Sequence, residues 1–313
     1  MLAINIDDVI NVINSIKAYL IGFGVVAVLL ILAMILCGKL SKSKKYLVRF
    51  NSALGLVLAL GITVNLILIG PMNSMVTLAT GGGKVSEENV AASTELCEDI
   101  AEEGIVLLDN DGTLPLAKNS KLNVFGWAST NPCYGGTGSG ALSDAYPTVS
   151  LLDGLTNAGF ELNTELSDFY TAYCAERPAL GYSNHNWTLP EPTAASYTQE
   201  LIDNAKSFSD TAMVVISRVG GEMADLPTNM DGLNYTENST EYNDFEPGQH
   251  YLSLTKTEKN MIDMVTKNFA NVVLVYNGAN TLEMGFVDEH PQIKSVIWCP
   301  GTGQTGFNAL GEN

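Results

Sequence analysis

The hydrophobic pattern divides the chain in two. Near the N-terminus stand two long runs without a charged residue, AYLIGFGVVAVLLILAMILCG at 18–38 and SALGLVLALGITVNLILIGPMNSMVTLA at 52–79. Each can cross a bilayer core, which takes about twenty residues. They predict a transmembrane helical hairpin with spans of about 18–38 and 53–78. A signal peptide does not fit the first run, which is too long and is followed by a second span. The awkward member of the second run, Asn65, can hydrogen-bond to the neighbouring helix. Lys39, Lys42, Lys44, Lys45 and Arg49 crowd the short loop between the runs. Positive loops stay in the cytoplasm, so both hairpin ends, the Asp7–Asp8 end included, should lie outside. GGGK at 81–84 reads as a flexible exit from the membrane. A buried helical hairpin of a soluble protein is the competing interpretation.

Beyond residue 80 the pattern alternates. Helical spacing runs through 86–108, opened by Ser86 and the acidic Glu87 and Glu88. Further helices are predicted at 148–159, through ELSDFYTAYCAE, and at 195–208. Another is predicted at 253–269, with a Thr255-x-x-Glu258 capping box, and a short one at NTLEMGFV. Apolar runs at 121–127, 211–217, 271–277 and 294–299 read as strands, and a last helix starts after 299. Short strands, apolar throughout and separated by helices, imply an α/β fold: a mostly parallel sheet sandwiched by helices. Two polar, Pro- and Asn-rich stretches, 178–198 and 226–250, read as surface excursions. The domains are thus 1–80, the hairpin, and 81–313, the α/β domain.

Charge sharpens this division. The 313 residues carry a formal net charge of −18. Residues 84–313 hold 10 basic and 32 acidic side chains, a net of −22. That surface repels anionic polymers and excludes a nucleic-acid partner. Five cysteines lie far apart without metal-like spacing and read as unpaired thiols, mostly buried. With three scattered histidines, no metal site is indicated.

The candidate chemistry sits in loops. YGGTGSG at 134–140 lacks both the phosphate-loop pattern and the dinucleotide fingerprint. It predicts a loop that passes close to another backbone or a ligand. Ser139 lacks the GxSxG frame of a nucleophilic elbow. Three sequons, at Asn186, Asn234 and Asn238, are short enough to arise by chance. In SRVGGEMADLP, residues 217–227, Glu222 stands at the C-terminal lip of an apolar strand, where α/β proteins place chemistry and also ordinary loop ends.

Several stretches together resemble glycoside hydrolase family 3. GIVLLDNDGTLPL resembles that family's helix-to-strand passage, and NVFGW followed by GGTGSG its strand and glycine loop. VSLLDGL matches the next helix. VVISRVGGEMADLP resembles the strand and acidic loop that carry the general acid/base. LTKTEKNMIDMV, NVVLVYNGANTLEMGFV and IWCPGTGQTGFNALG continue in order, so the likeness covers about 86–313. It implies the α/β sandwich domain of a retaining β-glucosidase-like enzyme, in the style of a subgroup whose sandwich precedes its (β/α)₈ barrel. It implies Glu222 as acid/base, with Arg218 and Asp225 positioning the loop or binding sugar hydroxyls. Met223 departs from the glycine often found after this glutamate. Partial burial of Glu222 is expected, since a general acid must be protonated near neutral pH. No cofactor is implied. The partners implied are a β-linked oligosaccharide or glycoside, the lipid bilayer, and a barrel domain downstream or on a second chain. The nucleophile is an aspartate on that barrel. A barrel needs about 250 residues by itself, so this stretch carries at most half of a catalytic pair. The sequence is therefore truncated, completed by a second polypeptide, or catalytically lost. The implied whole is a cell-membrane enzyme with its soluble domain extracytoplasmic; the alternative is a non-catalytic carbohydrate-binding or sensing domain on the same anchor.

Overall fold

The computed structural model describes residues 6–81, 85–143, 145–175 and 185–312. Residues 82–84 of the predicted membrane exit and 178–184 of the first predicted excursion lie outside these. The chain divides into two compact units, Met1–Ser86 and Glu87–Asn313.

In the first unit, α1 (Ile6–Leu36) passes through a single 3-10 turn at Cys37–Lys39 into α2 (Lys42–Ile69). A short α3 (Asn73–Thr80) follows. Leu30 lies against Gly55 and Tyr19 against Gly70, so α1 and α2 form an antiparallel hairpin. Two helical segments, Val12–Lys39 and Lys42–Ile69, are long and apolar enough to cross a membrane. Their apolar side chains, such as Ile21, Leu29, Ile35, Val57 and Ile62, are exposed. The second helix stops at Ile69, well short of the expected 78. Pro71 follows, lacking an N–H and restricting Gly70 before it. The Asn65 side chain is exposed and makes no hydrogen bond among the described residues.

The second unit is built on a six-stranded sheet: β1 (Val106–Asn110), β2 (Lys121–Phe125), β3 (Glu161–Leu162), β4 (Thr211–Ser217), β5 (Asn271–Asn277) and β6 (Ile293–Cys299). The spatial order is β1-β6-β5-β4-β2-β3. All neighbours are parallel except β1, which runs antiparallel to β6 at one edge. The helices are α4 (Glu87–Gly104), α5 (Leu151–Asn157), α6 (Thr164–Cys174), α7 (Gln199–Phe208), α8 (Lys256–Asn268) and α9 (Phe307–Glu312). In β4 and β5 every residue after the first is buried, as continuous apolar runs in a covered parallel sheet require.

Three expectations need correction. The helical spacing read through residue 108 ends at Gly104, and Val106–Asn110 joins the sheet as an edge strand. The β-branched pair Ile105-Val106 favours extended backbone once glycine has ended the helix. The helix expected at NTLEMGFV is a 3-10 turn at Gly285–Glu289. Its first half is pulled straight by Glu283, whose N–H reaches the carbonyl of Leu252 and whose carboxylate accepts from Ser253. The described part of the first excursion is no surface feature: Trp187, Leu189 and Glu191 are buried. The second excursion likewise drives Met230, Asp244 and Phe245 into the interior. The expected capping box of α8 is formed, Thr255 and Glu258 each accepting the other's backbone N–H. No disulfide forms among the described residues, and Cys37, Cys133 and Cys299 are buried.

Candidate active site

β4 delivers the chain to the C-terminal edge of the sheet at Ser217. The next residues make a tight turn. Gly221 and Ala224 exchange backbone hydrogen bonds of 3.2 and 2.9 Å, with Glu222 and Met223 at the corners. Gly221 is packed so closely on the glycine loop that a Cβ there would run into the backbone nitrogen of Thr137. The close backbone approach expected of YGGTGSG is therefore made, and the partner is the turn that carries Glu222.

Met223 takes φ +62°, in the left-handed region, with its side chain 65% exposed. Glycine adopts this conformation freely, whereas an L side chain is strained there by roughly 1 kcal/mol. Met223→Gly is accordingly expected to raise the stability of the full chain by about 1 kcal/mol, read by denaturant unfolding in detergent micelles. A loss of stability instead would show that the thioether makes a compensating contact.

Glu222 is exposed. Its Oε2 accepts from the Ser139 backbone N–H at 2.8 Å and from Ser139 Oγ at 2.7 Å, and its carbonyl accepts from Thr137 Oγ1 at 2.8 Å. The Ser139 hydroxyl, helped by its N–H, holds the carboxyl below the usual glutamate range, with only slight opposition from burial. The partial burial expected of a general acid is therefore not supplied by this domain. Asp225 is exposed at the end of the turn and makes no hydrogen bond among the described residues.

Arg218 differs from its expected place. It is fully buried. Its guanidinium meets Glu258 in a bidentate pair, both contacts 2.8 Å. The remaining N–H groups reach the carbonyls of Ser217, Tyr251 and Ser253. All five donors are used inside the fold, leaving none for a sugar hydroxyl. Glu258 also accepts the Thr255 N–H, so one carboxylate caps α8 and anchors the base of the acidic turn. The sequence shows Glu258 only as a cap.

A cleft of about 390 Å³ adjoins the turn, lined in part by Trp127, Cys133, Tyr134, Gly136, Val219 and Tyr251. Behind Trp127 lies Glu191, fully buried, accepting from the Trp127 N–H at 2.9 Å and from Tyr197 Oη at 2.5 Å. Burial pushes its carboxyl up to about 8, outweighing the hydrogen bonds from Tyr197 and Trp127. A folded-state value above the unfolded one means that the folded chain holds the proton more tightly. That contribution is complete below about pH 4.5 and is lost as pH rises toward 8. Glu191→Gln is expected to flatten stability against pH between those limits, measured by thermal unfolding across a buffer series. An unaltered slope would mean that Glu191 stays charged in the fold.

Residues 105–312 match the model of the glycosyl hydrolase family 3 C-terminal domain. The chain belongs to glycosyl hydrolase family 3. It is 33% identical over 217 residues to a β-glucosidase of Ruminococcus albus, covering 68% of this chain and 21% of that protein. It is 30% identical over 223 residues to β-glucosidase A of Butyrivibrio fibrisolvens, covering 67% and 26%. The solved structure of a Paenibacillus barengoltzii β-glucosidase superposes with a TM-score of 0.57 at 28% identity, over 70% of this chain and 22% of that one. The chain thus spans about a quarter or less of each of these relatives. Within this family-3 domain, the sequence singled out Glu222 but missed Ser139 as its hydrogen-bond donor, Glu258 as the partner of Arg218, and Glu191 behind Trp127. Only the capping spacing hinted at one of them.

Proposed function

We propose that this chain is the sandwich domain of a retaining, exo-acting β-glycosidase, with Glu222 as general acid and then base. The observation that carries this reading is the placement of Glu222 at the exposed corner of a turn held by backbone contacts from the glycine loop. A carboxylate so presented can reach a sugar bound on a second domain. Retaining chemistry needs a nucleophilic carboxylate about 5–5.5 Å from it, here an aspartate on a (β/α)₈ barrel following the sandwich or borne by a second chain. Docking of that surface over the turn would desolvate Glu222 and raise its proton affinity toward what an acid needs. Arg218, with its donors engaged, serves as the anchor of the turn, and Asp225 remains free to meet a sugar hydroxyl. The β-glucosidase names of the relatives support a β-linked glycoside as substrate.

The two apolar helices support a membrane hairpin, and the basic residues between them support a cytoplasmic loop with the family-3 domain facing outward. The charge-held, exposed state of Glu222 also fits a sugar-binding domain without turnover. Turnover of an aryl β-glucoside by the complete enzyme, before and after Glu222→Gln, separates the two. Equal rates would remove Glu222 from the reaction.

A further inference from the structure

The glycine loop has a use beyond letting two backbones approach. Ser139, which lacks a nucleophile's surroundings, gives both its N–H and its hydroxyl to Oε2 of Glu222. Oε1 has no hydrogen-bond partner among the described residues. Two positions earlier, Thr137 holds the carbonyl of the same glutamate. Three hydrogen bonds from two residues of one loop therefore fix the backbone of Glu222 and one of its two carboxylate oxygens. Rotation about the last side-chain bond, broad in a free glutamate, is restricted so that one oxygen faces the loop and the other faces outward.

We propose that Ser139 is a positioning residue for Glu222, clamping Oε2 and leaving Oε1 as the oxygen that carries and delivers the proton. The proposal rests on reading Glu222 as the acid/base. In the first half-reaction the proton on Oε1 passes to the glycosidic oxygen as its bond to the sugar breaks, and the O–H electron pair stays on the carboxylate. In the second half Oε1 takes a proton from the water that attacks the sugar–enzyme bond. Oε2 keeps its two donors throughout. The titratable and charged groups facing the turn are few. Arg218 is buried against Glu258, and Asp225 is exposed. Tyr251 packs on Arg218, while Cys133 and Tyr134, on the glycine-loop side, hold their protons at pH 7. Ser139 is thus the side chain that directly tunes this carboxyl.

The test uses the full chain in detergent micelles. A water-soluble carbodiimide with an excess amine consumes protonated carboxyls, and peptide mass spectrometry reads Glu222 separately across a pH series. A hydrogen bond to a charged group is worth enough to expect about three- to tenfold faster labelling of Glu222 at pH 6 in Ser139→Ala. Ser139→Thr should return the native rate. Glu283, held by Ser253 and His250, is the internal control and should not change. Because Ser139 is exposed, its truncation leaves the core untouched. Unchanged labelling of Glu222 in Ser139→Ala overturns the clamp. In the complete enzyme the alkaline limb of kcat/KM, which reports the free enzyme's acid, should move to higher pH in Ser139→Ala. Equal turnover by Glu222→Gln enzyme would defeat the acid/base reading alone, while the labelling result would still judge the clamp.

Discussion

Glu222→Gln in the complete enzyme should lower kcat/KM for a β-glucoside by about 10²–10⁴-fold, the usual worth of a positioned general acid. Glutamine keeps the length and planarity of the side chain and can still accept from Ser139. What disappears is the transferable proton. The loss should therefore depend on the leaving group. A nitrophenolate departs with little protonation, whereas a sugar or alkyl alcohol cannot, so the alkyl glucoside should suffer the larger drop. The second half-reaction loses its base as well. Azide needs no base to attack the sugar–enzyme bond, so added azide should restore turnover of the activated substrate by the variant. Equal losses on both substrates, without azide rescue, would assign Glu222 to binding rather than proton transfer.

Glu258→Gln should destabilise the family-3 domain by about 3–5 kcal/mol, because it leaves a buried guanidinium without its counter-charge. Both partners are fully buried. The amide retains one acceptor for the cap of α8, so the cap term, typically about 1 kcal/mol, is largely preserved and the deficit reports the ion pair. Replacing the pair by Arg218→Met and Glu258→Leu together should recover much of the loss, as apolar substitutes for buried pairs often do. Denaturant unfolding of the full chain measures both variants. A single-variant loss below about 1 kcal/mol would mean that water reaches the guanidinium and the pair behaves as an exposed one. The same variant should loosen the acidic turn, since Arg218 ties the end of β4 to the carbonyls of Tyr251 and Ser253. In the complete enzyme kcat should then fall more than KM rises.

The sheet was legible in the chain wherever burial was two-sided. TAMVVIS and NVVLVYN coincide with β4 and β5 because a strand covered on both faces must be apolar at every position. KSVIWC misses β6 by only its first residue. The capping box of α8 was legible because its spacing is local. β1 was not, since an exposed edge strand with Leu107 and Leu108 directly after a helix offers no alternation to mark the change of period. Nor was the interior place of Trp187 and Glu191. Their surroundings are polar and Pro-rich, and what draws them inward is contact with Tyr251, Trp127 and Tyr197.

The candidate site shows the same boundary. The residues by themselves determined that a glutamate follows a core strand, that glycines flank it, and that a glycine loop elsewhere must approach some backbone closely. Each is a statement about neighbours in the chain or the freedom of one residue. Tertiary structure decided which backbone the loop meets, that Ser139 serves the glutamate instead of attacking a substrate, and that Arg218 is spent on Glu258 rather than on a sugar. It also left Glu222 exposed and charge-held where partial burial was expected. Those outcomes depend on groups 40 and more residues apart meeting within hydrogen-bond distance, and on how much water each retains. Neither is written in local spacing, because desolvation and long-range pairing exist only once the sheet has brought its strand ends together.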